Sequence, residues 1–102
     1  MKTCMFVAKG INISCAIIES TAYILMEDKK ELLQFNDVGT YIWQQINGGN
    51  CVGDIIQNCL QGYDGDIDEI SETVIDFLKM LERECLIEVS EISFEEVMYD
   101  VG

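Results

Sequence analysis

Residues 31–49 constrain the fold most, because they join a strand, a helix cap and an amphipathic helix without a break. Leu33 and Phe35 alternate with a polar residue at the period of two that a half-buried strand requires. The next two residues, Asn36 and Asp37, each carry a side-chain oxygen that can accept a hydrogen bond from the first N–H groups of a helix. The segment therefore predicts a strand that leads directly into a helix.

The helix after this cap is amphipathic. Its apolar residues recur at helical spacing and lie on one face: Val38, Ile42, Trp43 and Ile46. The run ends at Asn47-Gly48-Gly49, residues that tolerate a left-handed backbone. We expect Trp43 to belong to the core and Gly39 to be a close-packing position between helix and sheet.

Short antiparallel strands precede the junction. The first 36 residues are rich in β-branched and aromatic residues and are interrupted by turn-forming ones. We predict strands over residues 12–18, 22–26 and 32–35. Residues 5–8 form either a further strand or an arm packed on the body, and the pattern leaves both readings open.

Two more helices follow residue 49. An apolar stripe from Val52 to Leu60 closes at Gly62 and predicts a short second helix. Asp66 or Asp68 can cap a third and longer helix. The apolar stripe of this helix comprises Ile67, Ile70, Val74, Phe77 and Leu81, with Ile75 and Leu78 beside it. A stripe of this breadth is consistent with binding a partner or with packing on the strands of the same chain. A short strand at 86–89 and a mixed acidic and apolar tail at 91–102 complete the chain.

Size and charge exclude several classes of protein. The chain has 102 residues, of which 49% are hydrophobic, enough for one small core but not for a deep substrate cleft. Six basic residues against nineteen acidic ones give a formal net charge of −13. This field repels nucleic acids and favours a basic partner, unless the charge serves solubility alone. No apolar segment reaches the roughly 20 residues of a membrane span, and the first residues do not form a signal peptide, so we expect a cytosolic protein without a membrane partner.

The residue types give no active site. The five cysteines are widely spaced, and no histidine is present to complete a zinc site or a nucleophile–base pair, so we expect reduced thiols, most of them buried as small apolar residues. The acids at 64–69 begin like a calcium loop, but Glu69 stands where glycine is required and Ile75 where glutamate is required. We expect no enzymatic activity, no metal and no cofactor.

The order of elements and three motifs resemble the PqqD-like proteins, the recognition elements of ribosomally synthesised and modified peptides (RiPPs). The family pattern Leu-Asn-x-x-Gly-x-x-Ile-Trp has its counterpart in residues 35–43, with Phe35 in place of leucine. A glycine turn at Gly48-Gly49 precedes Val52-Gly53-Asp54-Ile55, and Tyr63 marks the next turn. The last helix closes on Cys85-Leu86-Ile87, where the family commonly has glycine before the leucine. The resemblance covers residues 12–90.

This resemblance implies an α+β fold of the winged helix-turn-helix type, with a three-stranded antiparallel sheet followed by three helices. We assign residues 1–90 to this domain and residues 91–102 to a tail, whose mixed acidic and apolar residues are consistent with a docked, a partner-binding or a mobile segment. It further implies a peptide chaperone that binds the leader segment of a precursor peptide and presents it to a modifying enzyme. That enzyme is expected to be a radical S-adenosylmethionine maturase, a leader protease or a cyclodehydratase-like enzyme, in that order.

The resemblance also implies how the leader is bound. The leader adds to the open edge of the third strand, and its apolar side chains enter a groove between that strand and the last helix. The corresponding strand residues are Leu32, Leu33, Gln34 and Phe35. The corresponding helix residues are Ile67, Ser71, Val74, Ile75 and Leu78, some of which belong to the core. Asp68, Glu72 and Asp76 lie on the same helix and would attract lysine or arginine of a leader.

Two other classes of protein fit the same elements. A DNA-binding winged helix would need a basic recognition helix, whereas residues 67–85 carry only Lys79 and Arg83 against six acids. A structural interaction module is the other alternative, for example a homodimer that exchanges strands across the turn at 19–21 or at 28–30.

Overall fold

The computed structural model describes residues 1–93, and the part of the predicted 91–102 tail from residue 94 to 102 lies outside the described residues. Eight elements follow one another along the chain: β1 (Phe6–Lys9), β2 (Ile13–Ile18), β3 (Thr21–Met26), β4 (Glu31–Gln34), α1 (Asp37–Gln44), α2 (Val52–Gly62), α3 (Ile67–Arg83) and β5 (Ile87–Ser90). The predicted order of strands followed by helices is confirmed. Residues 5–8, for which strand and arm were both open, lie largely in strand β1.

The strands form two antiparallel sheets. One sheet has the order β2-β3-β4, and the α+β architecture of a three-stranded antiparallel sheet with three helices is as predicted. The second sheet pairs β1 with β5, with Phe6 opposite Ser90, and so ties the beginning of the chain to the strand that follows α3. The loop before α2 occupies the other side of β1, because the Gly48 N–H donates to the Val7 carbonyl at 2.9 Å.

The core lies between the three-stranded sheet and the helices. The inward face of β3 contributes Ala22, Ile24 and Met26, all buried. Trp43 of α1 is fully buried, as predicted. A Cβ atom on Gly39 would lie 3.1 Å from the Phe77 ring and 3.2 Å from the Phe35 Cβ, which confirms a close-packing position.

Side-chain caps fix where two of the helices begin. The Asn36 Oδ1 accepts a hydrogen bond from the Gly39 N–H at 2.8 Å and thereby starts α1 directly after β4. The Asp66 Oδ1 accepts from the Glu69 N–H at 2.8 Å and starts α3. In each case the earlier of the two predicted cap residues is the one used.

The cysteines differ from expectation. Cys59 is buried, but Cys4, Cys15 and Cys85 are exposed and Cys51 is partly exposed, so the prediction that most are buried is wrong. The exposed ones lie near the chain start, on the outer strand β2 and in the turn after α3, positions that the core does not cover. No helix within residues 1–93 combines the length and hydrophobicity of a membrane span.

Candidate peptide-binding edge

Strand β4 has one paired side and one open side. Its residues pair with β3, Leu33 lying opposite Ile24, and no strand among residues 1–93 pairs with the other side. The Phe35 N–H donates to the Ala22 carbonyl at 3.0 Å. Because backbone groups alternate in direction along an antiparallel strand, the N–H and C=O groups of Leu32 and Gln34 point to the open side. This edge can therefore accept another strand.

The two faces of β4 differ in burial. Glu31, Leu33 and Phe35 share the face of the sheet that is directed to the core and α3. Glu31 lies opposite Met26 and Leu33 opposite Ile24. Phe35 follows in the same register, opposite Ala22. Phe35 is 6% exposed and closes the end of the strand. Leu32 lies on the opposite face and is 65% exposed. An added strand would continue both faces.

A threonine holds α1 against the end of β4. The Thr40 Oγ1 accepts a hydrogen bond from the Ala22 N–H at 2.9 Å, and its hydroxyl lies 3.5 Å from the Phe35 carbonyl, to which it donates. Ala22 and Phe35 face each other across β3 and β4, so this hydroxyl takes the place of one backbone hydrogen bond of the ladder. It thereby fixes the position of the edge relative to the helices.

Helix α3 runs beside β4, and we call the space between the two elements the groove. The rings of Phe77 and Phe35 meet edge to face with their centroids 5.1 Å apart. Near the other end of the strand, the Lys29 Nζ lies 3.3 Å from the Glu84 carboxylate. These two contacts identify the side of α3 that is turned toward β4, which we call the groove flank. The residues at helical spacing on this side are Thr73, Asp76, Phe77, Met80 and Glu84.

The groove flank is not the side of α3 that the resemblance implied. Val74 and Leu78 are 1% and 0% exposed and belong to the core. Ser71 and Ile75 lie at helical spacing with Lys79 and Glu82, which border a depression formed with Met1, Met5 and Val89. That side faces the second sheet and points away from β4.

The remaining predicted residues are also spread over the helix. Ile67 is 55% exposed, at the beginning of α3. Of the three predicted acids, Asp76 borders the groove, because it lines a depression with Asn36, Thr73 and Phe77. Glu72 and Asp68 lie one and two turns, respectively, closer to the beginning of the helix and are exposed. The structure thus places Leu32, Leu33 and Gln34 on the open strand and Asp76 near Asn36, just past the end of that strand, and it places the other predicted helix residues elsewhere.

Four residues of the groove flank were missed as site residues: Thr73, Phe77, Met80 and Glu84. Their spacing of three, four and seven residues places them on one side of a helix, and this was the available signal. The spacing alone does not say which side of α3 faces β4, since that depends on how the helix is connected to the sheet.

A buried thiol lies among the three helices. Cys59 lines a small cavity with Val38, Tyr63 and Val74. Burial raises the pKa of the Cys59 thiol above its ordinary value of 9.0, and a hydrogen bond from Gln45 lowers that pKa by less. The thiol is therefore neutral near pH 7, and a neutral thiol is a weak nucleophile.

The sequence matches a family of known proteins. The family model described as "Coenzyme PQQ synthesis protein D (PqqD)" matches residues 22–87. The chain belongs to the PqqD family. The part matched by the PqqD model begins in β3 and ends at the first residue of β5, so it contains the open edge, all three helices and the groove flank.

Two solved structures resemble this PqqD chain. The structure titled "TbiB1 in Complex with the TbiA(beta) Leader Peptide" has a TM-score of 0.74 and 21% identity, and the match covers 79% of this chain and 94% of that one. "Lasso peptide synthetase B1 complexed with the leader peptide" has a TM-score of 0.73 and 18% identity, and the match covers 80% and 96%. At these identities the likeness establishes a common fold. No curated protein sequence matches this chain significantly.

Proposed function

We propose that this protein binds the leader segment of a ribosomally made precursor peptide by strand addition to β4 and delivers that peptide to a modifying enzyme. The observation that carries the proposal is the open edge of β4 beside the groove, where Leu32 and Gln34 direct their backbone N–H and C=O groups away from β3. An extended peptide pairs with such an edge through its own backbone, and its alternate side chains enter the groove.

The comparisons support this proposal. The part of the chain that the PqqD family model matches includes β4 and α3. Both similar structures are, by their titles, proteins in complex with a leader peptide. The fold shared with them supports leader-peptide binding by this protein.

The protein acts in this proposal as an adaptor without a catalytic role. The enzyme it serves is a radical S-adenosylmethionine maturase or a leader protease, and a cyclodehydratase-like enzyme is the third candidate. We also assign the arrangement of β2, β3 and the three helices to the winged helix-turn-helix type. The leader-binding residues in this proposal are Leu32, Leu33 and Gln34 of the strand and the residues of the groove flank.

A proline scan of the two outer strands tests strand addition. Leu32→Pro removes an N–H group that points to the open side, so the bond to β3 is kept and proline is tolerated at such an edge. Ile17→Pro is the matched control, because Ile17 of β2 directs its N–H to the other open side of the same sheet. The ligand is the leader half of the short peptide encoded beside this gene, measured by anisotropy of a fluorescent label.

The two variants give distinct outcomes. We expect Leu32→Pro to lose leader binding while its circular dichroism spectrum is retained, and Ile17→Pro to bind like the wild type. Leu32→Thr, which keeps the N–H group, should bind nearly normally because the backbone carries the pairing. Binding by a folded Leu32→Pro variant would contradict addition to β4.

Self-association is the second candidate function, and a specific surface favours it. The side chains on the outward face of the three-stranded sheet are uncharged at every paired position, and Ile18, Leu25 and Leu32 are 57%, 40% and 65% exposed there. Exposed apolar surfaces of this kind mark protein contacts. Light scattering of the wild type and Ile17→Pro tests whether a homodimer forms through this face or the β2 edge.

A further inference from the structure

The groove between β4 and α3 differs in chemistry along its length. Near its middle, Leu33, Phe77 and Met80 are partly buried and pack against the core, which leaves an apolar floor and wall. At the end where β4 begins, Glu31 is exposed, and Glu84 at the end of α3 pairs with Lys29 of the preceding turn. A peptide that fills the groove would therefore contact apolar side chains near the middle of the groove and carboxylates at one end.

Glu31 differs from Glu84 in its ion pairing. Lys29 lies 3.3 Å from Glu84 and partly neutralises it. Glu31 makes no ion pair with another residue of the described part of the chain. The adjacent hairpin adds Lys30 as well as Glu27 and Asp28, so four carboxylates stand against two lysines at this end.

The Glu31 side chain lies on the face of β4 that borders the groove. Glu31 lies opposite Met26 and Leu33 opposite Ile24, so both side chains belong to the face that β4 shares with the groove. Side chains of an added strand alternate in the same way. Peptide residues opposite Phe35, Leu33 and Glu31 would therefore all face α3, separated from each other by one residue that faces away.

We infer that this groove selects leader segments of the order apolar-x-apolar-x-basic, in which Glu31 pairs with the lysine or arginine. The inference rests on the proposed function and deepens it by naming the chemistry of the peptide. The order assumes antiparallel addition, the direction of both existing pairs in this sheet. The net charge of −13 adds a general attraction for the same peptides.

A selection experiment tests this inference without knowledge of the natural leader. A phage-displayed library of short random linear peptides is selected separately on the wild type, on Glu31→Lys and on Glu88→Lys. Glu88 is an exposed acid on β5 in the second sheet, so its reversal changes the net charge equally but far from the groove. Thermal melts of all three proteins establish that each is folded.

The wild type and Glu88→Lys should enrich lysine or arginine two positions after an apolar-x-apolar unit. Glu31→Lys should enrich aspartate or glutamate at that position and keep the apolar pair. In synthetic peptides that differ only there, the wild type should prefer lysine over glutamate up to about fivefold, the range of an exposed ion pair, and Glu31→Lys should reverse the preference.

The outcomes separate the inference from the proposed function. Enrichment of alternating apolar residues with no change of charge preference in Glu31→Lys would leave peptide binding intact and overturn the role of Glu31. A charge preference lost equally in Glu88→Lys would also overturn it, because the effect would then be one of net charge. No enrichment on any of the three folded proteins would contradict linear peptide binding itself.

Discussion

Thr40 links sequence, fold and site through a single hydroxyl. Its Oγ1 lies 2.9 Å from the buried Ala22 nitrogen and 3.5 Å from the Phe35 carbonyl oxygen, so it bridges β3 and β4 from α1. Thr40→Val keeps the shape but leaves the Ala22 N–H buried without a partner. We expect a loss of about 1–3 kcal/mol in the free energy of unfolding.

Thr40→Ser is the matched control, since serine keeps the hydroxyl and loses one methyl group, worth about 0.8 kcal/mol. Urea denaturation of the three proteins gives the comparison. A Thr40→Val variant that is as stable as Thr40→Ser would indicate that the hydroxyl does not hold the strands.

The raised pKa of the Cys59 thiol makes the free energy of unfolding depend on pH. Burial raises the pKa of its thiol above 9.0, with a smaller lowering from Gln45, so the folded protein retains this proton at pH values where the unfolded chain loses it. The contribution of Cys59 is therefore fully present below pH 9 and is lost as the pH rises through the folded pKa. We expect the free energy of unfolding to fall above pH 9.

Cys59→Ala removes this titration, and its stability should fall less steeply above pH 9 even if it is lower at every pH because of the cavity. Urea melts of both proteins between pH 7 and pH 10 measure the slopes. Equal slopes would mean that other groups dominate the alkaline transition.

At the scale of elements, the strand side of the candidate site was predictable from sequence and the helix side was not. The alternation of Leu33 and Phe35 and the cap at Asn36 are local patterns, and strand addition depends on backbone that every residue carries. Periodicity alone does not say which side of α3 faces β4. Only the contacts of Phe77 with Phe35 and of Glu84 with Lys29 determine which side faces β4.

The pairing of β1 with β5 in the second sheet could not be predicted from the sequence, for a related reason. Residues 5–8 and 86–89 are each too short to identify a partner, and they are about 80 residues apart in sequence, so their pairing follows from the fold as a whole. The exposed cysteines show the same dependence. Cys15 lies on the inward face of β2 by alternation and accepts a hydrogen bond from the Trp43 Nε1 at 3.3 Å, yet it is exposed because β2 is an outer strand.

The acids along α3 separate by position. Asp76 borders the groove, whereas Asp68 lies in the first turn of the helix, where a negative charge stabilises the helix dipole. We expect Asp76→Lys to slow the association of basic peptides, as a rim charge does. Asp68→Lys should leave that rate nearly unchanged and cost about 0.3–1 kcal/mol in stability. Stopped-flow binding and urea melts measure the two effects, and equal association rates for both variants would contradict this division.

At the scale of the whole molecule, the net charge of −13 acts on stability and on binding with opposite signs. Carboxylates repel one another in the compact state, and salt screens this repulsion over a distance of about 10 Å at 0.1 M. Raising sodium chloride from about 0.02 M to about 0.5 M should therefore stabilise the fold by on the order of 1 kcal/mol, a rise of about 4–8 °C in Tm.

The same salt should weaken binding of a basic peptide, because the attraction between peptide and protein is screened as well. Sodium chloride is preferred to sulfate, since sulfate stabilises folded proteins by exclusion from their surface. A peptide with its basic residue replaced by glutamine is the control, and its affinity should depend much less on salt. If salt left both Tm and the affinity for the basic peptide unchanged, the acidic surface would serve solubility alone, and recognition would rest on the backbone edge of β4 and the apolar groove.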